Sequence, residues 1–158
     1  MKTSIPQIFD EVEKAGSKES KIKVLRAYDT PVLKGILQIN FNTDIKVYLP
    51  DGEPPFKKDT SIPTGYSETN LYTEFRRFYI WLNESINLTR ARKEQLFVQL
   101  LEGIHWTEAE VVCLAKDRKL QTKYKSLKED LVREAFPDVL PPKKVPVPAK
   151  KKEASLNK

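Results

Sequence analysis

Residues 111–142 read VVCLAKDRKLQTKYKSLKEDLVREAFPDVLPP, the pattern of two helices joined by a basic link. The apolar run Val111, Val112, Leu114 and Ala115 has the spacing of a helix. Thr107 and Glu110 stand three apart just before it. That is the pattern of a capping box, in which each side chain satisfies a free backbone N–H of the other. Ser126 and Glu129 repeat it ahead of Leu127, Leu131, Val132, Ala135 and Phe136. Pro137 then ends the second helix, because it has no N–H and disfavours helix at the residue before it. Between the two predicted helices the charge is lopsided: Lys116, Arg118, Lys119, Lys123, Lys125 and Lys128 stand against one acid, Asp117. A cationic link that ends at a helix N-terminus suits a phosphate. It equally suits a lysine-rich solvated turn.

Upstream, helical periodicity continues. Residues 4–15 carry Ile5, Ile8, Phe9 and Val12 on one face, with Gly16 as the stop and Ser17 as the next N-cap. Residues 18–28 follow with Ile22, Val24, Leu25 and Tyr28. Thr30 then caps a helix whose first position is Pro31, where the missing N–H costs nothing. Val32, Leu33, Ile36, Leu37, Ile39 and Phe41 give that helix a wide apolar stripe, so it is expected in the middle of the core. The run Asn42, Thr43, Asp44 is expected to cap one further turn carrying Ile45, Val47, Tyr48 and Leu49. Residues 50–67, PDGEPPFKKDTSIPTGYS, hold four prolines and two glycines and predict a long irregular loop.

A helix is expected again over residues 68–83, with Leu71, Tyr72, Phe75, Phe78, Tyr79 and Leu82 inward; Arg76 and Arg77 beside them fit a core helix better than a nucleic-acid stripe. Thr89 caps the next helix, which buries Leu96, Phe97, Leu100 and Leu101 and ends at Gly103. Its first turns carry Arg90, Arg92 and Lys93, cations that oppose the helix dipole. They are explained either by an anion or by acids nearby. His105 stands alone and reads as structural.

The net charge of +6 is uneven. Residues 143–158 hold six lysines and one glutamate, which leaves 22 basic against 21 acidic residues for the rest. The tail is Pro- and Lys-rich and is expected to be disordered. Overall basicity is therefore weak support for nucleic acid, and local clustering must carry that case. The single cysteine, Cys113, excludes an internal disulfide and a cysteine-based zinc site, and its apolar surroundings predict inert packing in an intracellular protein. No apolar run has the length of a membrane span, and no signal-peptide core is visible at the N-terminus. There is no Gly-rich phosphate loop, no His-Glu-x-x-His and no Gly-x-Ser-x-Gly, and the acids alternate with lysines as on a solvated face. No catalysis, cofactor, metal or small-molecule substrate is expected.

The order of these elements resembles the N-terminal helical DNA-binding domain of ATP-dependent DNA ligases, especially those of T-even-type bacteriophages. The resemblance rests on IFDEVEKAGSKESKIKVLRAYDTPVLKGILQINFN at 8–42, NLTRARKEQLFVQLLEGI at 87–104, LAKDRKL at 114–120 and VREAFPDVLPP at 132–142. A ligase continues into a domain with a Lys-x-Asp-Gly motif, which does not occur here. The family also has a glycine shortly after its Arg-Asp-Leu segment, whereas residues 121–125 lack one and are basic instead. YLPDGEPPF at 48–56 is similar to a loop of small uncharacterised proteins of tailed myophages, which implies a viral origin.

Taken together, an all-α fold is expected. It comprises one compact domain of six or seven helices over residues 1–142, the loop 50–67, and a disordered tail at 143–158. The expected function is a non-catalytic phage accessory protein that binds duplex DNA in the host cytoplasm or on the virion. Phosphates would be held by Lys116, Arg118, Lys119, Lys123, Lys125 and Lys128, assisted by Arg90 and Arg92. If about four to six phosphates are neutralised, log affinity falls with log salt at a slope of roughly −4 to −5. The alternative is a protein-interaction module: a virion component, a replication or transcription adaptor, or an inhibitor of a host protein.

Overall fold

Helix formation in this chain follows its caps and its apolar spacing. The computed structural model describes residues 3–141, so the expected tail lies outside the described residues. Ser4 and Gln7 form a capping box that starts α1 (Ile5–Lys14), which buries Ile5, Ile8, Phe9 and Val12. Ser17 accepts from Ser20 N–H and starts α2 (Lys18–Ala27). Thr30 accepts from Leu33 N–H and starts α3 (Pro31–Phe41), with Pro31 in the first turn. α3 is buried along most of its length and packs on α7 (Trp106–Lys116). α1 lies against both α2 and α7, and α6 (Arg90–Gly103) covers another side of α7. α9 (Glu129–Ala135) closes the arrangement on α2. One apolar core runs through all of these. The fold is all-α, with no strand among the described residues.

Four short segments raise the helix count beyond the expected six or seven. α4 (Leu71–Glu74), a 3-10 turn (Phe75–Arg77) and α5 (Tyr79–Leu82) replace the single helix expected over 68–83, while α8 (Leu120–Lys123) is one turn within the basic link. The 3-10 turn has a visible physical reason. With three residues per turn, side chains at i and i+3 eclipse. Phe75 and Phe78 stand 4.7 Å apart between ring centroids, Phe78 meets Trp81 edge-on at 5.7 Å, and Trp81 meets Phe97 of α6 at 5.4 Å. The change of phase buries Trp81 and turns Tyr79, expected inward, out to solvent at 58% exposure. Phe75 in turn reaches α3 at Gly35, where a Cβ would lie 2.8 Å from its Cε2 and closer still to Cζ.

A turn over 42–45 closes through Ile45 N–H to Asn42 O, but the further helical turn expected to carry Ile45, Val47, Tyr48 and Leu49 does not form. Asn42 also accepts from Asp44 N–H through its side chain, and Tyr48 N–H donates to Trp81 O. Residues 45–50 therefore run irregularly along the core. The loop 50–67 is irregular as expected.

Candidate nucleic-acid interface

The basic link begins with the termination of α7. Arg118 N–H donates to Ala115 O at 3.0 Å and Lys119 N–H to Leu114 O at 2.8 Å. This pair of bonds is a Schellman motif, which requires a left-handed residue at the position Arg118 occupies. Its φ is 60°, the only positive φ outside glycine among the described residues. Glycine is the usual choice there. Arginine is explained by its side chain, whose guanidinium donates to Ile39 O and Asn42 O at 2.9 Å each and to Ile45 O. Those carbonyls end α3 and begin the segment after it. Asn40, also on α3, accepts from Leu120 N–H at 3.1 Å and donates to Gln121 Oε1 at 3.0 Å. The link is thus fastened to α3 at two points.

Lys116 is equally committed. Its ammonium donates to Pro50 O at 2.7 Å and pairs with Asp117 at 2.6 Å, and Asp117 accepts from Gly52 N–H at 3.0 Å. These contacts moor the start of the 50–67 loop to the end of α7. Of the cations expected to meet phosphates, Lys116 and Arg118 are thus engaged within the fold, because helix and loop carbonyls left without partners attract the nearest cations. Lys119, Lys125 and Lys128 are exposed, and their side chains have no partner among the described residues. Lys123 is exposed and pairs with Glu110. Arg90 and Arg92 are exposed on the first turn of α6. Arg90 pairs with Glu94 four residues on, at 3.3 Å, and Arg92 donates to Gln95 at 2.7 Å.

Of the two capping boxes expected in this region, one is displaced and the other does not form. The cap of α7 is His105 with Glu108, two residues ahead of the Thr107–Glu110 pair. The His105 ring accepts from Thr107 N–H at 3.2 Å, and its Nε2 lies 2.8 Å from Ile62 O, a geometry the neutral Nε2–H tautomer satisfies. His105 is structural. Glu108 accepts from His105 N–H at 3.4 Å and from Leu71 N–H at 3.1 Å, so one buried carboxylate serves the first turns of both α7 and α4. Burial pushes its carboxyl above the usual range, and the two backbone bonds oppose that rise. Ser126 does not cap α9. Its N–H is taken by Glu13 of α1 at 2.8 Å, and α9 starts from Lys128 without a side-chain cap.

Burial pushes the Cys113 thiol up to about 12, which leaves it inert at neutral pH. Among the described residues no group of three His, Cys, Asp or Glu side chains could hold a metal ion, and no helix is long and apolar enough to cross a membrane. Sequence reasoning gave Lys93 no site of its own. It is buried to 8% exposure, and its one packing cue is its place three residues after Arg90 on the face that also carries Phe97.

Residues 8–122 match DUF6433, a family of unknown function, and the chain belongs to that family. No curated protein matches the sequence.

Proposed function

We propose that this DUF6433 member is a non-catalytic DNA-binding accessory protein that holds duplex phosphates with the lysines of the link between α7 and α9. The observation that carries the reading is the contrast within the link. Lys116 and Arg118 fasten it, while Lys119, Lys125 and Lys128 are exposed without a side-chain partner among the described residues, and Lys123 meets the half-buried Glu110 and the Tyr124 ring. Cations displayed on a fixed frame lose less freedom when they bind than cations on a floppy loop. Contacts of this kind position a duplex without reading its sequence. The likeness to ligase DNA-binding domains, carried by 114–120 and 132–142 among others, agrees with this reading, and the likeness of 48–56 to a myophage loop suggests a phage setting. The buried His105, Glu108 and Cys113, the groups most suited to chemistry, all have structural duties, which favours a non-catalytic role.

With four link lysines rather than six cations, the expected slope of log affinity against log salt is about −3.6, steeper if Arg90 and Arg92 join the footprint. The test is duplex affinity over a salt series for the full chain and for the triple variant Lys119→Glu, Lys123→Glu, Lys125→Glu. Loss of binding in the variant is expected. An unchanged slope and affinity would sink the reading.

A second reading has its own observation. A hollow of about 510 Å³ lies between the loop and α6, with Leu49, Pro54, Phe97 and Val98 in its wall and Glu53 and Glu94 beside them. An apolar hollow with acids beside it fits an apolar side chain flanked by basic residues, as on a partner protein. Partner binding that survives the triple charge reversal, with no DNA binding by the parent chain, would favour this interaction module.

A further inference from the structure

The hollow of about 510 Å³ between the loop and α6 has an apolar base that includes Phe97 and Val98. Around it three acids, Asp51, Glu53 and Glu94, stand against one cation, Lys116, which Asp117 already neutralises. Asp51 is exposed and has no cation partner among the described residues. Glu53 and Glu94 pair with Lys58 and Arg90, which lie outside the wall. Both pairs are at the surface, where an ion pair contributes little, so another cation can take either acid at small cost. The hollow therefore suits an apolar segment that carries positive charge on both sides.

The chain's own sequence contains such a segment. Residues 143–152 read KKVPVPAKKK, five apolar residues with two lysines before them and three after. Val145 and Val147 each precede a proline, a position that disfavours helix and favours extended backbone. A segment restricted in that way loses little freedom when it lies along a surface. Its starting point is also on the right side of the fold. Gln38 of α3 donates to Val139 O at 3.0 Å, two residues before the described chain ends. Ile39, the next residue of α3, shares a small apolar gap with Leu49, Phe97 and Lys116, and those three also wall the hollow. Fully extended, six residues from 142 to 147 reach about 20 Å, which matches about two helix–helix spacings.

We propose that the chain's own C-terminal segment occupies this hollow, with Val145 and Val147 on the apolar base and Lys143, Lys144 and Lys150 beside Asp51, Glu53 and Glu94. The inference rests on the interaction reading for the chemistry of the hollow alone, and it needs no outside partner and no link lysine. The segment then acts as an internal competitor. A partner protein that offers an apolar side chain between cations has to displace it, and while it is docked its lysines are withheld from a polyanion.

The test is paramagnetic broadening in the NMR spectrum of the full chain with a nitroxide attached at Ala154→Cys, read against its reduced form. Cys113 is buried and its thiol is pushed up to about 12, so the label goes to the tail alone. Signals of Gly52, Ala91 and Val98 are expected to broaden. They should recover when Val145→Ser and Val147→Ser are introduced together, and again when Asp51→Lys and Glu53→Lys reverse the rim. Asp51 and Glu53 are exposed, so that reversal carries little folding risk. The broadening should survive dilution by about tenfold, as an intramolecular contact does, and should survive the triple reversal of link lysines. No broadening at these three residues, or broadening that persists in either double variant, overturns the docking. Broadening passed from a spin-labelled chain to an isotope-labelled chain without nitroxide identifies the tail of a second copy and overturns docking within one chain. The interaction reading fails on a different measurement, partner binding by the parent chain, so the two failures are told apart.

Discussion

Arg118 is the residue at which the fold and the proposed interface separate, and replacing it by alanine tests the distinction. The substitution removes the donors to Ile39 O, Asn42 O and Ile45 O while keeping a Cβ at a positive φ. A hydrogen bond from a charged donor contributes about 1.5–3 kcal/mol, less where water can replace it. The guanidinium is half-buried, so water recovers part of three such bonds, and a net loss of about 2–4 kcal/mol is expected. For a domain of this size that corresponds to a fall in Tm of about 5–15 °C. Arg118→Gly loses the same bonds but relieves the left-handed strain of a side chain, which is worth about 1 kcal/mol. The order of stability should therefore be wild type, then glycine, then alanine, read by urea unfolding with Trp81 and Trp106 fluorescence. An alanine variant within about 0.5 kcal/mol of wild type, or a glycine variant more stable than wild type, would refute the view that the side chain is held here to staple α3. The same alanine variant, measured well below its Tm, should keep the salt slope of duplex binding, since a phosphate ligand would lower it by about 0.9.

Two shorter predictions follow from the same packing. Because the Glu108 carboxyl is raised by burial, the fold favours its protonated form, and that stabilisation is present at pH values below the ordinary carboxylate range and is lost as pH rises through the raised value. Urea unfolding of wild type and Glu108→Gln at pH 4 and pH 7 should thus show the variant gaining on wild type as pH rises; a difference that moves the other way rules out the buried-carboxylate account. Gly35→Ala should destabilise by about 1–3 kcal/mol despite alanine's better helix propensity, because its Cβ overlaps the Phe75 ring, and Tm by circular dichroism is sufficient to read it.

The parts of the fold that were legible were those governed by local chemistry. Ser17, Thr30 and Thr89 each cap the helix that follows, and the stripes of α1 and α3 are buried as their spacing implies. What failed was local chemistry overruled by distant partners. Ser126 and Glu129 have the right spacing for a capping box, but Glu13, 113 residues away in sequence, reaches the Ser126 N–H first. Thr107 and Glu110 compete with His105 and Glu108, a second pair at the same spacing. The earlier pair wins because Glu108 can also satisfy Leu71 across the core. The 68–83 helix broke because aromatics at 75, 78 and 81 recur every three residues, a period that suits a 3-10 turn and was available to be read. At the candidate interface the cluster of cations was visible, whereas their division into fasteners and free lysines depends on where α3 ends, which composition does not carry.

That division follows a rule repeated elsewhere in the molecule. Lys21 donates to Val12 O and Ala15 O at the end of α1, and Arg26 donates to Ala135 O and Glu134 O at the end of α9, as Arg118 does at the end of α3. A helix C-terminus presents unpaired carbonyls and a partial negative charge, so a nearby cation gains both a hydrogen bond and a favourable field. Three helices are closed this way by side chains from other elements. Carbonyl dipoles, unlike a carboxylate, do not neutralise the cation they hold. Arg118 has no acid partner among the described residues, so its full charge remains behind Lys119 and adds to the positive potential that would draw in a polyanion without touching it. In the proposed interface the frame and the ligands therefore have the same sign for different reasons. Because carbonyls rather than an acid hold Arg118, its charge stays in the field where the free lysines are displayed, whereas the Lys116–Asp117 pair beside it cancels its own.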